Sequence, residues 1–270
     1  MKRILAAIAA ALCTCSAIVA SPASAQTSDQ WQYGAVIYGW LPTIGGSTTF
    51  PGAVKSNDIH VDVDTILDHL KFTFMGTFEA RKGPLGLYTD LIYLDVGGNK
   101  SQTRDVTIGG LPLPGGVTGD FNLDLKTTIW TIAGEYRVAT DPTSHVDVLA
   151  GARLADARQT LGWNFSADLG PFNPSRSGTK EVNLSNWDAI VGAKGRIGIP
   201  GASGWFAPWY VDVGTGQSDL TWQAIGGIGY SFTWGEVIGA WRYMDYKFKS
   251  GSPIEKLTLN GPAVGVAFRW

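Results

Sequence analysis

Four aspartates and two histidines crowd one stretch of this chain, Asn57-Asp58-Ile59-His60-Val61-Asp62-Val63-Asp64-Thr65-Ile66-Leu67-Asp68-His69-Leu70. Carboxylates suit Ca²⁺, imidazoles suit transition metals, and a histidine held by an aspartate is a general base. The spacing argues against all three uses. There is no glycine turn of the EF-hand kind, and alternation sends His60, Asp62 and Asp64 to one side of an extended segment, with Ile59, Val61 and Val63 on the other. A strand extension followed by a short helix capped by Asp64, with Ile66, Leu67 and Leu70 packed against a larger body, fits better. The third histidine, His145, opens a strand elsewhere. The expectation is no metal, no cofactor and no catalysis.

A second set of charges is spaced by two. Glu79 and Arg81, Glu135 and Arg137, and Lys194 and Arg196 are each separated by one residue, which in a strand puts both members on one face. Strict alternation in the notional strand 121–138 turns Glu135 and Arg137 outward, so their inward placement requires a bulge. Elsewhere the alternation gives one polar face carrying Glu79, Arg81, Asp90, Asp147, Arg153, Asp188, Lys194, Arg196, Asp212, Arg242 and Arg269. Charges of both signs on a shared interior face must pair or meet water. They either plug the interior with ion pairs or line a narrow pore.

The elements that would position them are ten segments of period-two alternation, at 31–41, 71–81, 85–96, 121–138, 145–163, 182–199, 205–213, 220–232, 235–248 and 256–270. Their opposite faces are apolar, as with Phe72, Phe74 and Phe78, or Trp205, Ala207, Trp209 and Val211. The connections at 82–84, 139–144, 200–204 and 233–234 are short. Those at 42–70, 97–120 and 164–181 are long, while 214–219 and 249–255 are intermediate. Short turns on one side and long loops on the other suit an up-and-down barrel of about ten strands. Twelve is the alternative if residues 45–63 hide a hairpin, and eight is the other.

Both ends carry location signals. Lys2 and Arg3, an apolar run from Ile4 to Ala20, and Ala23-Ser24-Ala25 read as a secretory signal peptide over residues 1–25, with one mature domain over 26–270. Cys13 and Cys15 fall inside that leader in contexts unsuited to lipidation, so the mature chain carries no thiol. The mature chain keeps all 23 acidic residues and loses Lys2 and Arg3 from 21 basic ones, an acidic balance that excludes nucleic acid. No mature apolar run reaches the roughly 18 residues of a spanning helix. A membrane position therefore demands a closed barrel, because only closure pairs every backbone group within lipid. Eleven Trp and 35 Gly suit interfacial belts and a narrow interior.

The last residues, Val264-Gly265-Val266-Ala267-Phe268-Arg269-Trp270, alternate apolar with small or charged and end on an aromatic. In this, and in its leader and loop asymmetry, the chain resembles the bacterial outer-membrane β-barrel proteins, specifically the small, porin-like, uncharacterised ones. The resemblance implies an all-β transmembrane antiparallel up-and-down barrel in the outer membrane of a Gram-negative bacterium, exported through the Sec pathway. It implies lipid and lipopolysaccharide as surroundings, periplasmic chaperones and the barrel assembly machinery as partners, and Phe268 and Trp270 as the assembly signal. A structural role or a narrow pore for small solutes follows, with a rim hydrolase using His60 or His69, or an adhesin or receptor using the long loops, as alternatives.

Overall fold

A computed structural model describes residues 30–48, 57–61, 70–103, 107–108, 111–112, 117–167, 175–250, 252 and 254–270. The expected leader, the helix expected after Asp64 and His69 lie outside the described residues.

Ten strands form the barrel: β1 (Trp31–Trp40), β4 (Leu70–Lys82), β5 (Leu85–Thr103), β8 (Val117–Thr140), β9 (His145–Ala167), β10 (Ser175–Gly198), β11 (Trp205–Gly216), β12 (Ser218–Ser231), β13 (Glu236–Phe248) and β14 (Ile254–Arg269). Each pairs antiparallel with the next, and β14 closes on β1 from Gly34↔Arg269 to Trp40↔Ala263. Closure removes the sheet edges, which is what lets such a wall stand alone. Four short strands lie outside this circuit: β2 (Thr43–Thr48), β3 (Asn57–Val61), β6 (Thr107–Ile108) and β7 (Leu111–Pro112).

The hairpin suspected within residues 45–63 exists, yet it does not enlarge the barrel. Leu41 donates its N–H to Pro262 O at 3.0 Å, and Thr43 then aligns with Asn260, so β2 continues β1 along the upper half of β14. Strand β3 pairs with β2 alone. The β1–β4 ladder stops at Ile37↔Gly76. Above it, Trp40 N–H, which a continued ladder would have used, donates to Met75 Sδ at 3.2 Å.

Strands β5, β8, β9 and β10 run well past their expected ends, to Thr103, Val117, Ala167 and Ser175, and stay paired there. Alternation marked only the portions with an apolar outer face. The turns at the opposite end are tight. Gly83, Gly201 and Gly204 adopt φ of 60°, 76° and 82° there, a left-handed backbone that costs a residue with a Cβ. Asp141 closes another of these turns by accepting the N–H groups of Thr143 and Ser144 at 2.8 and 2.7 Å.

The parity of β8 corrects one expectation. Ile129, Thr131, Ala133 and Glu135 are buried in the interior while Trp130 and Tyr136 are exposed outside. Glu135 therefore faces inward by plain alternation, and Arg137 follows it. The irregularity lies beyond them, between Arg137 and Ala139. The inward residues of β8 share the odd parity of the β4 pair Glu79 and Arg81, and no bulge is needed.

Candidate functional site

The inward charges assemble into three groups at different heights. Nearest the tight turns, Arg196 pairs with Glu236, which also lies 3.2 Å from Arg269. Ser231 joins them, accepting from Arg196 Nη2 at 3.0 Å and donating to Glu236 Oε1 at 3.1 Å. The Arg196 guanidinium lies 3.7 Å over the Phe206 ring, a cation–π contact. Phe206 lies flat because Gly229 is beneath it: a Cβ there would meet the ring at 2.4 Å.

The second group is a buried cluster of three carboxylates and three cations. Arg81 Nη2 donates to Glu135 Oε1, to Asp147 Oδ2 at 3.0 Å and to Glu79 Oε1 at 3.1 Å. Arg137 grips Asp147 through two hydrogen bonds of 2.8 and 3.0 Å. Lys194, arriving from β10 across the bore, pairs with Glu79 of β4 and lies 2.8 Å from Glu135. Carboxylate oxygens of Glu79, Glu135 and Asp147 come within 4.8 Å of one another, a spacing that could hold a cation. Arg81, Arg137 and Lys194 already supply matching positive charge, so the chemistry is that of an internal salt rather than an open ligand set. His145 Nε2 stands 3.8 Å from Asp147 Oδ2 at the edge of the cluster.

Higher up, a polar chain crosses the lumen. Arg153 Nε donates to Thr131 at 3.1 Å, and its two terminal nitrogens hold both oxygens of Asp212. Gln223 donates to Asp212 Oδ2 at 2.8 Å and accepts from Arg242 Nε and Nη2 at 3.1 and 2.9 Å. Arg242 of β13 reaches Asp90 of β5 at 2.7 Å, and Tyr38 and Thr77 hydroxyls donate to the other Asp90 oxygen at 2.6 and 3.1 Å. The chain thus ties β8, β9, β11, β12, β13, β5, β4 and β1 together. Every charge in it is matched and hydrogen-bonded, the condition under which buried ion pairs are tolerated.

Apolar layers alternate with these polar ones. Between the carboxylate cluster and the cross-lumen chain lie Tyr88, Ala133, Leu149, Ile190 and Tyr210. Above the chain sit Trp40, Met75, Ile92, Ile129, Leu184, Met244, Tyr246, Phe248 and Leu259, all buried. Arg242 meets this upper layer face on, 5.0 Å from the Trp40 ring.

Ten of the eleven residues expected inside are buried or half-buried, and they do not form one set. Asp188 joins none of the ion pairs: its Oδ1 accepts Ser218 N–H at 2.7 Å and pins the β11–β12 turn. Arg269 is more exposed than the rest, and its partner Glu236 escaped the sequence reading because it starts a strand at a turn. Tyr38 and Gln223 were equally overlooked as site residues. Parity placed Gln223 inside, but hydrogen-bonding across a bore leaves no local spacing signal.

The outer surface decides what kind of barrel this is. Ile37, Phe72, Leu87, Val191, Ile197, Val211, Ile228 and Val264 are all exposed, an apolar belt that water would not stabilise. Aromatic rings edge it on both sides. On the tight-turn rim, Trp205, Tyr230, Phe232, Trp234 and Phe268 touch in sequence, edge-on, stacked or tilted, with centroid spacings of 4.7 to 6.2 Å. On the far rim, Trp130 meets Trp187 at 6.2 Å and Trp222 meets Tyr243 at 4.8 Å. Two aromatic girdles around a closed apolar wall with a polar interior are the form a membrane imposes on a β-sheet. The chain is a transmembrane β-barrel.

No protein-family model matches this barrel's sequence, and no curated protein does. Among solved structures, the barrel is similar to the outer-membrane protease OmpT of Escherichia coli, with 11% identity, a TM-score of 0.44 and coverage of 92% of this chain and 98% of that one. It is also similar to the translocator domain of the autotransporter NalP of Neisseria meningitidis, at 14% identity, a TM-score of 0.35 and coverage of 91% and 90%. The toluene transporter TbuX of Ralstonia pickettii gives 10% identity, a TM-score of 0.32 and coverage of 90% and 89%. Likenesses at this level carry nothing about activity. The expected terminal strand is seen directly: Trp270 exchanges backbone hydrogen bonds of 3.0 and 2.8 Å with Tyr33, and its ring stacks on Tyr33, which stacks on Trp31.

Proposed function

We propose that this protein is a sealed structural barrel of the Gram-negative outer membrane, exported through the Sec pathway and inserted by the barrel assembly machinery on its Phe268 and Trp270 signal. Lipopolysaccharide would face the long-loop end. One observation carries the sealed reading: Glu79 with Lys194 and Asp90 with Arg242 span the lumen from opposite walls, and a buried apolar layer roofs the upper pair. A pore-forming reading would need a water path past that layer. Among the described side chains, His145 and Asp147 stand 3.8 Å apart, beyond hydrogen-bonding distance, while the side chains of His60 and His69 lie outside the described ones.

Liposome swelling tests this. Vesicles carrying the refolded barrel should swell in iso-osmotic arabinose no faster than empty ones, whereas swelling that scales with protein content would remove the sealed reading.

A further inference from the structure

Directly under the cross-lumen chain, on the β1, β13 and β14 side, lies a cavity of about 120 Å³. Its walls are Val36, Ile225, Ile238, Ala240 and Ala263. All five point inward by strand parity, yet none is fully buried. Its polar end is formed by Tyr38, Asp90, Arg242, Thr77 and Tyr88. The first three are mutually satisfied, so the site carries no surplus charge. Tyr88 differs: among the described residues its contacts are made by its ring, with Tyr210 at 5.8 Å and with Lys194 Nζ at 4.5 Å, and none by its hydroxyl.

Beneath the cavity the β1 wall carries Gly34, where an added Cβ would meet nothing closer than 3.8 Å. The next inward residue, Gln32, is exposed at the mouth. Gly34 is flanked by the inward charged residues Glu79 of β4 and Arg269 of β14, paired with it in register. The cavity is a vestibule of the lumen, below the cross-lumen chain and the apolar layer above it.

We propose that this vestibule binds a small neutral ring compound bearing one hydroxyl, with the ring against the aliphatic walls and its hydroxyl on Tyr88. Size, polarity and charge each contribute. An apolar cavity of about 150 Å³ takes up benzene, so this one limits the guest to a single six-membered ring. The matched Asp90–Arg242 pair offers no counter-charge to an ion, and burying an uncompensated charge there would be costly. The uncommitted Tyr88 hydroxyl supplies one hydrogen bond. The site needs the cavity itself and not a closed roof above it, so the test separates it from the sealed reading.

The probe is 4-fluorophenol, followed by ¹⁹F NMR on protein refolded in micelles, with unlabelled phenol as competitor. Binding should be saturable and displaced by phenol in the wild type and in Ala224→Leu, whose side chain faces lipid. Ala263→Leu, which fills the cavity, should abolish it while the barrel keeps its heat-modifiable gel shift. Tyr88→Phe, which removes only the hydroxyl, should weaken binding about fivefold, the worth of one hydrogen bond. Equal uptake by wild type and Ala263→Leu is micelle partitioning and overturns the proposal, as does an unchanged affinity in Tyr88→Phe should the first variant fail to fold. Saturable binding together with solute leakage would overturn the sealed reading and leave this site standing.

Discussion

Arg242 is the sharpest place to test how the lumen holds together. Its guanidinium is 3% exposed and bonds Asp90, Tyr38 and Gln223 at once, joining β13 to walls on the far side of the bore. Arg242→Met keeps an unbranched apolar stem and removes the charged guanidinium, which leaves the Asp90 carboxylate buried with only the Tyr38 and Thr77 hydroxyls. Breaking a buried pair from one side costs about 3–5 kcal/mol. Asp90→Leu should cost a similar amount by stranding Arg242. The double variant removes both charges, and well-packed apolar replacements of buried pairs are often neutral. Its cost should fall short of the summed single costs by about 2 kcal/mol or more, since groups in direct contact couple. Urea titrations of the refolded barrel in lipid vesicles, read by tryptophan fluorescence and gel mobility, measure all three. Strict additivity would refute the pairing, because charges that each met water independently would not know of one another.

Three further outcomes follow from local geometry. Gly86→Ala places a Cβ 2.5 Å from Glu135 Oε1 and should destabilise by about 1–3 kcal/mol through displacement of the carboxylate cluster, whereas Gly34→Ala, with 3.8 Å of clearance, should cost well under half as much; equal urea midpoints would remove the distinction. Asp141 is held below its ordinary pKa of 3.8, chiefly by the Thr143 backbone N–H. A depressed carboxylate contributes stability that is present above about pH 4 and lost as pH falls through its folded value. Wild type should therefore lose more stability than Asp141→Asn between pH 5 and 3, and parallel pH curves would refute that. Trp270→Ala should lower the amount of folded barrel in cells while leaving the in vitro urea midpoint nearly unchanged, and normal levels in the outer-membrane fraction would contradict the assembly role.

Much of this architecture is legible in the chain because a barrel wall has a period of two and every strand shows it. Phe72, Phe74 and Phe78 announce one face of β4, and Glu79 and Arg81 the other. Strand limits were less legible, since β5 and β8 continue above the belt where outward residues no longer need to be apolar. The hairpin of β2 and β3 was suspected, but its attachment to the top of β14 depends on Pro42 and Pro262 at the joint and on a ladder that stops at Gly76. Nothing local to residues 45–63 encodes that. The inward charges were found by parity, whereas their partners were not. Which arginine meets which carboxylate depends on the shear of the barrel, which carries Lys194 of β10 to Glu79 of β4 and Arg242 to Asp90. The apolar roof was missed for a different reason: Trp40, Tyr246 and Phe248 share the parity of the inward Tyr38 and Arg242, but an apolar residue on the polar face carries no sign of the layer it joins.

Single-channel recording in a planar lipid bilayer tests the sealed lumen most directly. Refolded barrel, inserted at a density verified by gel shift, should give a flat baseline in 1 M KCl under the proposal that the cross-lumen ion pairs and the buried layer above them close the bore. Reproducible discrete current steps from the wild-type protein would contradict the account.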